Sequence, residues 1–417
     1  MPPGDVRSYA PPGLRLLAAG VVPGLAPWAT LLRPSGPDPA NLGHMSEVQQ
    51  NTLYLLTPGS YVARDHLTLQ VEIPTYPADL PAGQRNRDTA IDRRKLSIPI
   101  HHLESICLFG PSTISPPALA LCWEHGVAVN FLSEHGQFQA RMTGVADTSV
   151  TLRRTQFRAA DDRQKCAGIA RQIIAGKMQN SRNSLLRAAR ENGEPGENRE
   201  PGEQAQLQRV VDGLAEQIRG LADPPFSDSD SALDRLRGAE GLAARAYFSV
   251  FSLTFKQQRE MFRFTTRSRH PPRDRINCLL SFIYALVRHD CVAALTSIGL
   301  DPFVGFLHAD RPNRPALALD LMEEFRPWLA DRLAITLINR QQIGPEDFAE
   351  RAGGVVEFTE AGRKHVIQAY QERKQDTLVH PLLEQSLRLA QMPFVQARIL
   401  ARHLRGDLPE YLPLVPK

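Results

Sequence analysis

The sequence predicts a multidomain α+β protein, in which an N-terminal β-rich domain precedes a longer C-terminal all-helical domain. Residues 51–144 contain short runs of alternating apolar and polar residues with many β-branched or aromatic side chains, which is typical of strands. Beyond residue 150 such runs nearly vanish, and apolar residues recur at helical spacing. A chain of 417 residues is long enough to bury a separate core in each domain. We therefore predict a leader over 1–44, a β-rich domain over 45–145, a linker over 146–154 and an all-helical domain over 155–417.

The composition is that of a soluble globular chain whose charge is almost balanced. With 49 basic and 45 acidic residues, the net charge of +4 does not by itself identify a nucleic-acid-binding protein. Basic residues cluster over 153–187 and over 259–275, and either cluster could be ordinary solvated helix surface. The second cluster has few acidic residues and several interleaved aromatic ones, which favours contact with phosphates.

Neither the cysteines nor the leader indicates export or insertion into a membrane. The five cysteines have no metal-ligand spacing and lie in apolar segments, so we expect buried free thiols in a reducing cytoplasm. The apolar part of the leader, over 16–32, is interrupted by Pro23 and Pro27, which makes it a poor membrane span and a poor signal core. We expect residues 1–44 to be disordered, and either non-native or followed by a true start at Met45.

The β-rich domain is predicted to contain six or seven strands and one helix. The segment 61–73 alternates on both sides of Arg64-Asp65, as a hairpin does. Ser115 precedes two prolines, which is the pattern of an N-cap and the first turn of a short helix. The other predicted strands cover 51–57, 95–100, 105–109, 127–132 and 138–142.

The helical domain is predicted to contain one long surface insertion. The Gly/Pro/Glu-rich run 191–204 precedes an amphipathic helix over 205–221. Asp274 can cap a helix over 276–298, which is apolar on nearly all faces and is therefore expected at the centre of the core. Further predicted helices are one long or two joined helices over 152–190, a helix capped by Thr359, a helix kinked at Pro327 and a basic helical end over 385–405.

One acidic residue stands between two glycines in the helical sequence LDRLRGAEGLAARAYF. A glycine inside a helix costs about 1 kcal/mol relative to alanine, so Gly238 and Gly241 suggest that something approaches the backbone closely. Glu240 would then be a carboxylate in a tight, partly apolar setting, which is costly unless it is paired or binds a metal. The alternative is a helix crossing packed on glycine, with Glu240 paired to Arg237 or Arg245.

The segment 299–326 combines a loop histidine with an acidic helix. A turn signal leads to His308, a proline-broken loop follows, and apolar residues then return at helical spacing. Asp320, Glu323 and Glu324 are related by i, i+3 and i+4, so they share one arc of that helix. They could hold a divalent metal together with the histidine, or they could form a solvated acidic face beside an unrelated histidine.

Several of these segments, in this order, resemble one known family. They are LRGAEGLAARAYF (236–248), RHPPRDRINCLLSFIYAL (269–286), GLDPFVGFLHADRPNRPALALDLMEEFRP (299–327) and FTEAGRK (358–364). Two N-terminal segments, LSIPIHHLESICLFGPSTIS and GVAVNFLSEHGQFQARMTG, are similar to the β-domain of the same family. Together they resemble the CRISPR-associated integrase-endonuclease of spacer acquisition, the first-numbered Cas protein family. The resemblance extends from about Met45 to the C-terminus and leaves the 191–204 insertion outside.

The resemblance implies a divalent-metal site in the helical domain. By motif, Glu240, His308 and Glu323 correspond to the metal ligands, and Asp320 to a further catalytic acid whose direct ligation is open. Glu324 is expected to be a solvated neighbour. Two carboxylates and one imidazole suit Mn²⁺ or Mg²⁺ better than structural zinc. On a helical wheel Glu323 points away from the apolar face, so we expect the site to open into a groove and not to be buried.

The resemblance also implies an activity and partners. The activity is that of an endonuclease and integrase, which inserts short foreign DNA fragments as new spacers into a CRISPR array through attack of a 3′-OH on a phosphodiester. The implied partners are double-stranded DNA (prespacer fragments and the CRISPR repeat), a second copy of the chain joined through the β-rich domain, and the small ferredoxin-like second-numbered Cas protein. The implied location is the prokaryotic cytoplasm, without a membrane.

DNA binding without turnover is the alternative function. In that case the chain is a scaffold subunit of a nucleoprotein complex, and its acidic cluster is a salt-bridge network. Both functions need phosphate contacts, for which the candidates are Arg245, Arg267, Arg269, Arg273 and Arg326. Arg326 could instead pair with Glu323 or Asp320 and orient them.

Overall fold

The fold is taken from a computed structural model of the chain. It describes residues 52–77, 80–81, 84–103, 105–133, 138–142, 150–191, 202–221, 231–268, 271–351 and 353–416. The predicted leader 1–44 and most of the predicted insertion 191–204 lie outside these residues.

Two four-stranded sheets form the N-terminal region. The element bounds are β1 Thr52–Leu55, β2 Tyr61–Asp65, β3 Thr68–Thr75, β4 Asp92–Pro99, β5 Ser105–Phe109, β6 Thr113–Ile114, α1 Pro116–Glu124, β7 Ala128–Leu132 and β8 Phe138–Met142. One sheet has the order β1-β5-β7-β8, in which β1, β5 and β7 are parallel, and the other has the order β4-β3-β2-β6. Ser115 caps α1 as predicted, since its hydroxyl accepts from the amide of Ala118 at 3.3 Å.

Strand β5 is buried on both faces and joins the two regions of the protein. Ile106 and Leu108 pack into the core of the N-terminal region, whereas Cys107 and Phe109 pack into the helical core. This division follows from the strand period, because successive side chains point to opposite faces of a sheet. All five cysteines are buried free thiols, as predicted.

The region beyond residue 150 is mainly helical. Its element bounds are α2 Val150–Asp161, α3 Arg163–Glu191, α4 Glu203–Gly220, α5 Ala232–Ser249, α6 Arg275–Ile298, α7 Ala316–Phe325, α8 Arg332–Asn339, β9 Phe348–Arg351, β10 Val355–Phe358, α9 Glu360–Gln375, β11 Thr377–Val379, β12 Ser386–Arg388 and α10 Met392–Arg405. Helix α3 packs against α5 and α7, and α6 packs against α7. A π-helical turn over Arg326–Asp331 joins α7 to α8 at Pro327, where the sequence predicts a kink.

Two hairpins contradict the prediction of an all-helical C-terminal domain. The antiparallel pairs β9-β10 and β11-β12 interrupt the helices. The second pair ends at Arg388, so the helix predicted over 385–405 begins only at Met392. Both hairpins are too short to produce a period-two pattern that stands out from the flanking helical sequence.

Two further predicted boundaries are wrong in detail. Helix α2 begins at Val150, inside the predicted linker 146–154. The first hairpin turns at His66, because Arg64 and Asp65 stay extended and pair with β3, whereas His66 adopts a φ of 55°. Asn, Asp and His tolerate positive φ better than most residues, which is the local reason for the later turn.

Helix α6 is the central apolar helix that the sequence predicts. Asp274 caps it by accepting from the amide of Asn277 at 2.7 Å, and Gly299 ends it with a φ of 93°. By length and composition α6 is the one helix among the described residues that could cross a membrane, yet 72% of its apolar window is buried inside the protein. A core helix of a soluble protein passes the same test.

Residues 407–416 form a strap that crosses α3 and α7, here called the C-terminal strap. Asn180 of α3 donates through Nδ2 both to the carbonyl of Leu414, at 2.8 Å, and to that of Glu324, at 2.9 Å. A Cβ at Gly176 would lie 2.6 Å from Pro413, so α3 needs a glycine where the strap crosses. The strap therefore joins the two helices that carry the site described next.

Candidate metal centre

The loop that carries His308 is held by the carboxylate of Asp320, which is fully buried. Asp320 Oδ2 accepts from the amides of Phe306, at 2.6 Å, and Leu307, at 3.0 Å. Asp320 Oδ1 accepts from the amide of His308 at 2.9 Å and lies 2.7 Å from the Nδ1 atom of the same residue. The carboxylate is saturated by these four contacts, so it holds the loop in place.

Two further features fix this loop. Arg237 of α5 donates from Nε to the carbonyl of Leu307 at 2.8 Å, which ties the loop to a second helix. A Cβ at Gly305 would lie 2.8 Å from Asp320 Oδ2, so only glycine leaves room for the carboxylate. Because Nδ1 of His308 faces Asp320, the ring presents Nε2 to the centre.

The acidic residues of α7 do not form a solvated face. Asp320 and Glu324 are 0% exposed, and Glu323 is 2% exposed. The expectation that Glu323 lies in an open groove is wrong, because α7 is packed on nearly all sides. A buried carboxylate is costly without compensation, so each of the three needs its own partners.

Glu323 lies among three nitrogen groups. Its Oε1 atom is 3.0 Å from a terminal nitrogen of Arg326 and 3.7 Å from His308 Nε2. Its Oε2 atom is 2.6 Å from Lys177 Nζ. Burial raises the pKa of Glu323, but Arg326, Lys177 and His308 outweigh burial and lower the pKa to about 2. Glu323 is therefore an anion at neutral pH.

Glu240 reaches the same place from α5. Its Oε1 atom contacts Lys177 Nζ, so one ammonium group contacts both Glu240 and Glu323. With His308 Nε2 beside Glu323, the structure brings together the three side chains that were predicted as metal ligands. In the part of the chain that the structure describes, no three acidic, histidine or cysteine side chains form a closed cation-sized cluster. Here the ammonium group stands between the two carboxylates.

Lys177 is the residue of this centre that the sequence analysis did not single out. It belongs to the basic region 153–187, whose sequence is compatible with ordinary solvated helix surface. Its side chain is only 12% exposed. A signal for burial was present, since Lys177 lies between Gly176 and Met178 in the apolar middle of α3, whereas the exposed Lys165 lies at its polar start.

The glycines beside Glu240 do not mark a packed helix crossing. A Cβ at Gly238 or Gly241 meets no described atom within 4 Å. The expected close approach by another part of the protein is therefore wrong for the described residues. Glu240 is paired with Lys177, and not with Arg237 or Arg245 as the packed alternative predicted.

Replacing Gly238 with alanine should stabilise the protein by about 1 kcal/mol, because the methyl group meets no obstacle and the unfolded chain loses entropy. Urea unfolding of the variant and the wild type measures the change. The matched control is Gly176→Ala in α3, which should destabilise the protein, because the added Cβ would collide with Pro413. Equal effects of the two substitutions would contradict this account.

Glu324 was predicted to be a solvated neighbour, and this prediction is wrong. Its Oε2 atom accepts from the amide of Leu414 at 2.7 Å and from Nε2 of Gln396 at 2.7 Å, and its Oε1 atom accepts from the hydroxyl of Tyr411. Burial raises the pKa of Glu324 to about 7, against the opposing effect of these hydrogen bonds. Glu324 therefore anchors α7 to α10 and to the C-terminal strap.

Two of the predicted phosphate-binding arginines are engaged inside the protein. Arg326 is 8% exposed and pairs with Glu323, so the contacts favour its alternative role of orienting that carboxylate. Arg267 donates to Asn277 Oδ1 at 2.6 Å, and both guanidinium groups lie over the ring of Tyr284. Their contact with DNA remains a prediction.

The other predicted arginines differ in setting. Arg245 lies on α5 beyond Glu240 and is exposed, as is Arg273 before α6. Arg269 lies outside the described residues. Exposed guanidinium groups are available to phosphates, so the phosphate-binding prediction for Arg245 and Arg273 is compatible with their positions.

A cavity of about 900 Å³ adjoins the centre through Arg326 and Met322. We call it the arginine groove, after the six arginines in its lining: Arg267, Arg288, Arg311, Arg314, Arg326 and Arg363. Glu357 is the acidic residue among the lining side chains. Burial and, to a lesser extent, the nearby Arg326 lower the pKa of Arg288. Such a groove attracts anions.

Comparison with known proteins identifies the family of this fold and centre. The family model described as CRISPR associated protein Cas1 matches residues 53–372. The chain belongs to the Cas1 family. The CRISPR-associated endonuclease Cas1 1 of Moorella thermoacetica is 44% identical over 365 residues, which are 88% of this chain and 98% of that protein. The resemblance in the sequence is thereby confirmed, and the chain is a relative of CRISPR-associated endonucleases.

Solved structures share the fold of this Cas1 family member at low sequence identity. A casposase bound to an integration product has a TM-score of 0.70 and 20% identity, with 86% of this chain and 91% of that chain covered. A chain of a Cas6-RT-Cas1–Cas2 complex has a TM-score of 0.67 and 23% identity, with 90% and 37% covered. These likenesses support the mixed fold, with an N-terminal β-rich region and a helical C-terminal part.

Proposed function

We propose that this Cas1 family member is a divalent-metal-dependent DNA endonuclease and integrase, which inserts short foreign DNA fragments as new spacers into a CRISPR array. The observation that carries the proposal is that Glu240 and Glu323, from two helices, contact one ammonium group, while His308 Nε2 lies 3.7 Å from Glu323 Oε1. Family membership supports the endonuclease activity. The integrase activity that the resemblance implies would require the same site to serve both hydrolysis and strand transfer.

The donor set of this centre fits Mn²⁺ or Mg²⁺. Glu240, Glu323 and Nε2 of His308 would hold the ion, since carboxylate oxygens and imidazole suit these metals. When bound, the ion supplies charge stabilisation at the phosphate and lowers the pKa of the attacking hydroxyl or water.

The protein itself would contribute orientation and charge. Asp320 holds the His308 loop and keeps Nε2 directed at the centre. Arg326 orients Glu323 through its Oε1 atom. The arginine groove beside the centre would contact the DNA phosphates, and binding should then weaken steeply as salt is raised.

The proposal extends to partners and location. As in the resemblance, the partners would be double-stranded DNA, a second copy of the chain joined through the β-rich region, and the small ferredoxin-like Cas2 protein. A solved neighbour that comes from a Cas6-RT-Cas1–Cas2 complex supports the last of these. The complex would act in the prokaryotic cytoplasm on prespacer fragments and the CRISPR repeat.

A DNA cleavage and strand-joining assay tests the proposal. Branched DNA is incubated with the protein and Cas2, with Mn²⁺ or with EDTA. Glu240→Ala and His308→Ala should each slow the metal-dependent reaction by at least about 100-fold, the scale of losing one charge-stabilising group. Glu260→Ala and His125→Ala, at exposed positions, are the matched controls and should keep wild-type rates.

The scaffold alternative has a specific observation in its favour, because Lys177 and Arg326 do form a salt-bridge network with the acidic residues. It predicts DNA binding by the wild type without metal-dependent turnover. Full activity of both alanine variants would instead show that the reaction occurs elsewhere in the protein.

A further inference from the structure

The Lys177 ammonium group lies where the two candidate carboxylate ligands converge. We propose that Lys177 is an internal cation, which holds the acidic centre together in the metal-free protein and must withdraw from both carboxylates when a divalent ion binds. The inference rests on the proposed function, since it assumes that Glu240 and Glu323 are metal ligands. It adds a residue of α3 to a centre that was predicted from α5, α7 and the His308 loop.

The burial of the centre explains why an internal cation is needed. Glu323 is 2% exposed, and Glu240 and Lys177 are 27% and 12% exposed at their side chains. Two carboxylates that approach each other in such surroundings repel strongly, because water screens them poorly. Lys177 contacts one oxygen of each, so its charge compensates both in the absence of a metal.

The same contacts make Lys177 and a metal mutually exclusive. Lys177 Nζ is 2.6 Å from Glu323 Oε2 and also contacts Glu240 Oε1. A divalent ion held by Glu240 and Glu323 would need the carboxylate oxygens that Lys177 contacts here, so the ion and the ammonium group would compete for the same place between them. Two cations cannot occupy one position, so binding of the ion requires the lysine to leave.

Arg326 does not face the same conflict. It contacts Oε1 of Glu323, whereas Lys177 contacts Oε2. Its guanidinium group also lies 5.1 Å from the centroid of the Tyr284 ring, which holds it in place. Arg326 can therefore keep Glu323 oriented while the flexible Lys177 side chain gives up its place.

The first test is metal affinity. Mn²⁺ binding to the full-length protein is measured by electron paramagnetic resonance for the wild type, for Lys177→Met and for Lys165→Met. Methionine keeps the length and removes the charge, so Lys177→Met should bind Mn²⁺ at least about tenfold more tightly, because the competitor is gone. Lys165 is exposed on the same helix, and its variant should bind as the wild type does.

The outcomes of this test separate the inference from the proposed function. Equal or weaker Mn²⁺ binding by Lys177→Met would overturn the inference, while binding by the wild type would leave the proposed metal site standing. If neither protein bound Mn²⁺, both the inference and the proposed metal site would fail.

The second test needs no metal and guards against a poorly folded variant. In EDTA, Lys177→Met should unfold at a lower temperature than the wild type, because the two carboxylates lose their shared cation. Adding Glu240→Gln to Lys177→Met should restore much of that loss by removing one of the repelling charges. A double variant as unstable as the single one would overturn the role of Lys177 as an internal cation.

A crystal structure of the wild-type protein with Mn²⁺ supplies a further check without any substitution. The lysine nitrogen should lie beyond ion-pair range, about 4 Å, from both Glu240 and Glu323. An ion bound by these carboxylates with Lys177 still between them would overturn the inference.

Discussion

Replacing Asp320 with alanine should cost both activity and stability, although Asp320 itself need not touch a metal. The substitution leaves three backbone amides of the His308 loop, two of them buried, without an acceptor and frees the imidazole ring. We expect a 10- to 100-fold loss of metal-dependent cleavage, about the range for partners that orient a ligand. We also expect unfolding to become easier by about 3–5 kcal/mol, as when a buried charged group is removed from its partners.

Cleavage assays and urea unfolding measure the two effects, and His308→Ala separates them. That variant removes the candidate ligand but leaves Asp320 with its backbone donors, so it should lose activity with a much smaller loss of stability. Gly305→Ala should behave like Asp320→Ala, because the added Cβ would press against the same carboxylate. If Asp320→Ala unfolded like the wild type, the saturated carboxylate would not be what holds the loop.

Replacing Glu324 with alanine should destabilise the protein by about 3–5 kcal/mol. The change leaves the Tyr411 hydroxyl, the Gln396 amide and the Leu414 amide buried without their shared acceptor. Since these partners belong to α10 and to the C-terminal strap, the strap should detach before the rest of the protein unfolds. Urea unfolding gives the loss of stability, and limited proteolysis reports the release of residues 407–416.

Two comparisons make the Glu324 prediction specific. Glu260→Ala removes an exposed carboxylate, 90% exposed at its side chain, and should leave stability nearly unchanged. Glu324→Gln keeps an acceptor oxygen and should lose less than the alanine variant. A strap that stayed protected in Glu324→Ala would show that apolar contacts of Tyr411 and Leu414 hold it without the carboxylate.

The elements that were well predicted depend on short-range chemistry. Ser115, Asp274 and Thr359 cap helices where they were expected, because in a cap the side-chain oxygen accepts a hydrogen bond from the backbone amide three residues ahead. Strand β8 has the predicted bounds, 138–142, because alternation along a strand is visible in the sequence. The hairpins β9-β10 and β11-β12 were missed, because three or four residues are too few to show a period.

Only part of the candidate site could be predicted, because the rest depends on contacts between segments that are distant in the sequence. The motif order placed Glu240, His308 and Glu323 on separate elements, and the structure brings them together. The setting of the neighbouring acids was not predictable, because exposure depends on which helices cover α7. Glu324 was expected in solvent and is 0% exposed, since α10 and the C-terminal strap pack over it from the far end of the chain.

The sequence by itself determined the class of fold, most of the element positions and, through its motifs, the family and the three converging ligand candidates. The tertiary structure alone decided that the carboxylate of Asp320 is hydrogen-bonded to the His308 loop and that Glu324 anchors the C-terminal strap. It alone placed the ammonium group of Lys177 between Glu240 and Glu323. The physical reason is that helix caps and hydrophobic periodicity depend on residues that are near neighbours in the sequence. A buried charge is instead compensated by a group that is distant in the sequence and that packing brings beside it.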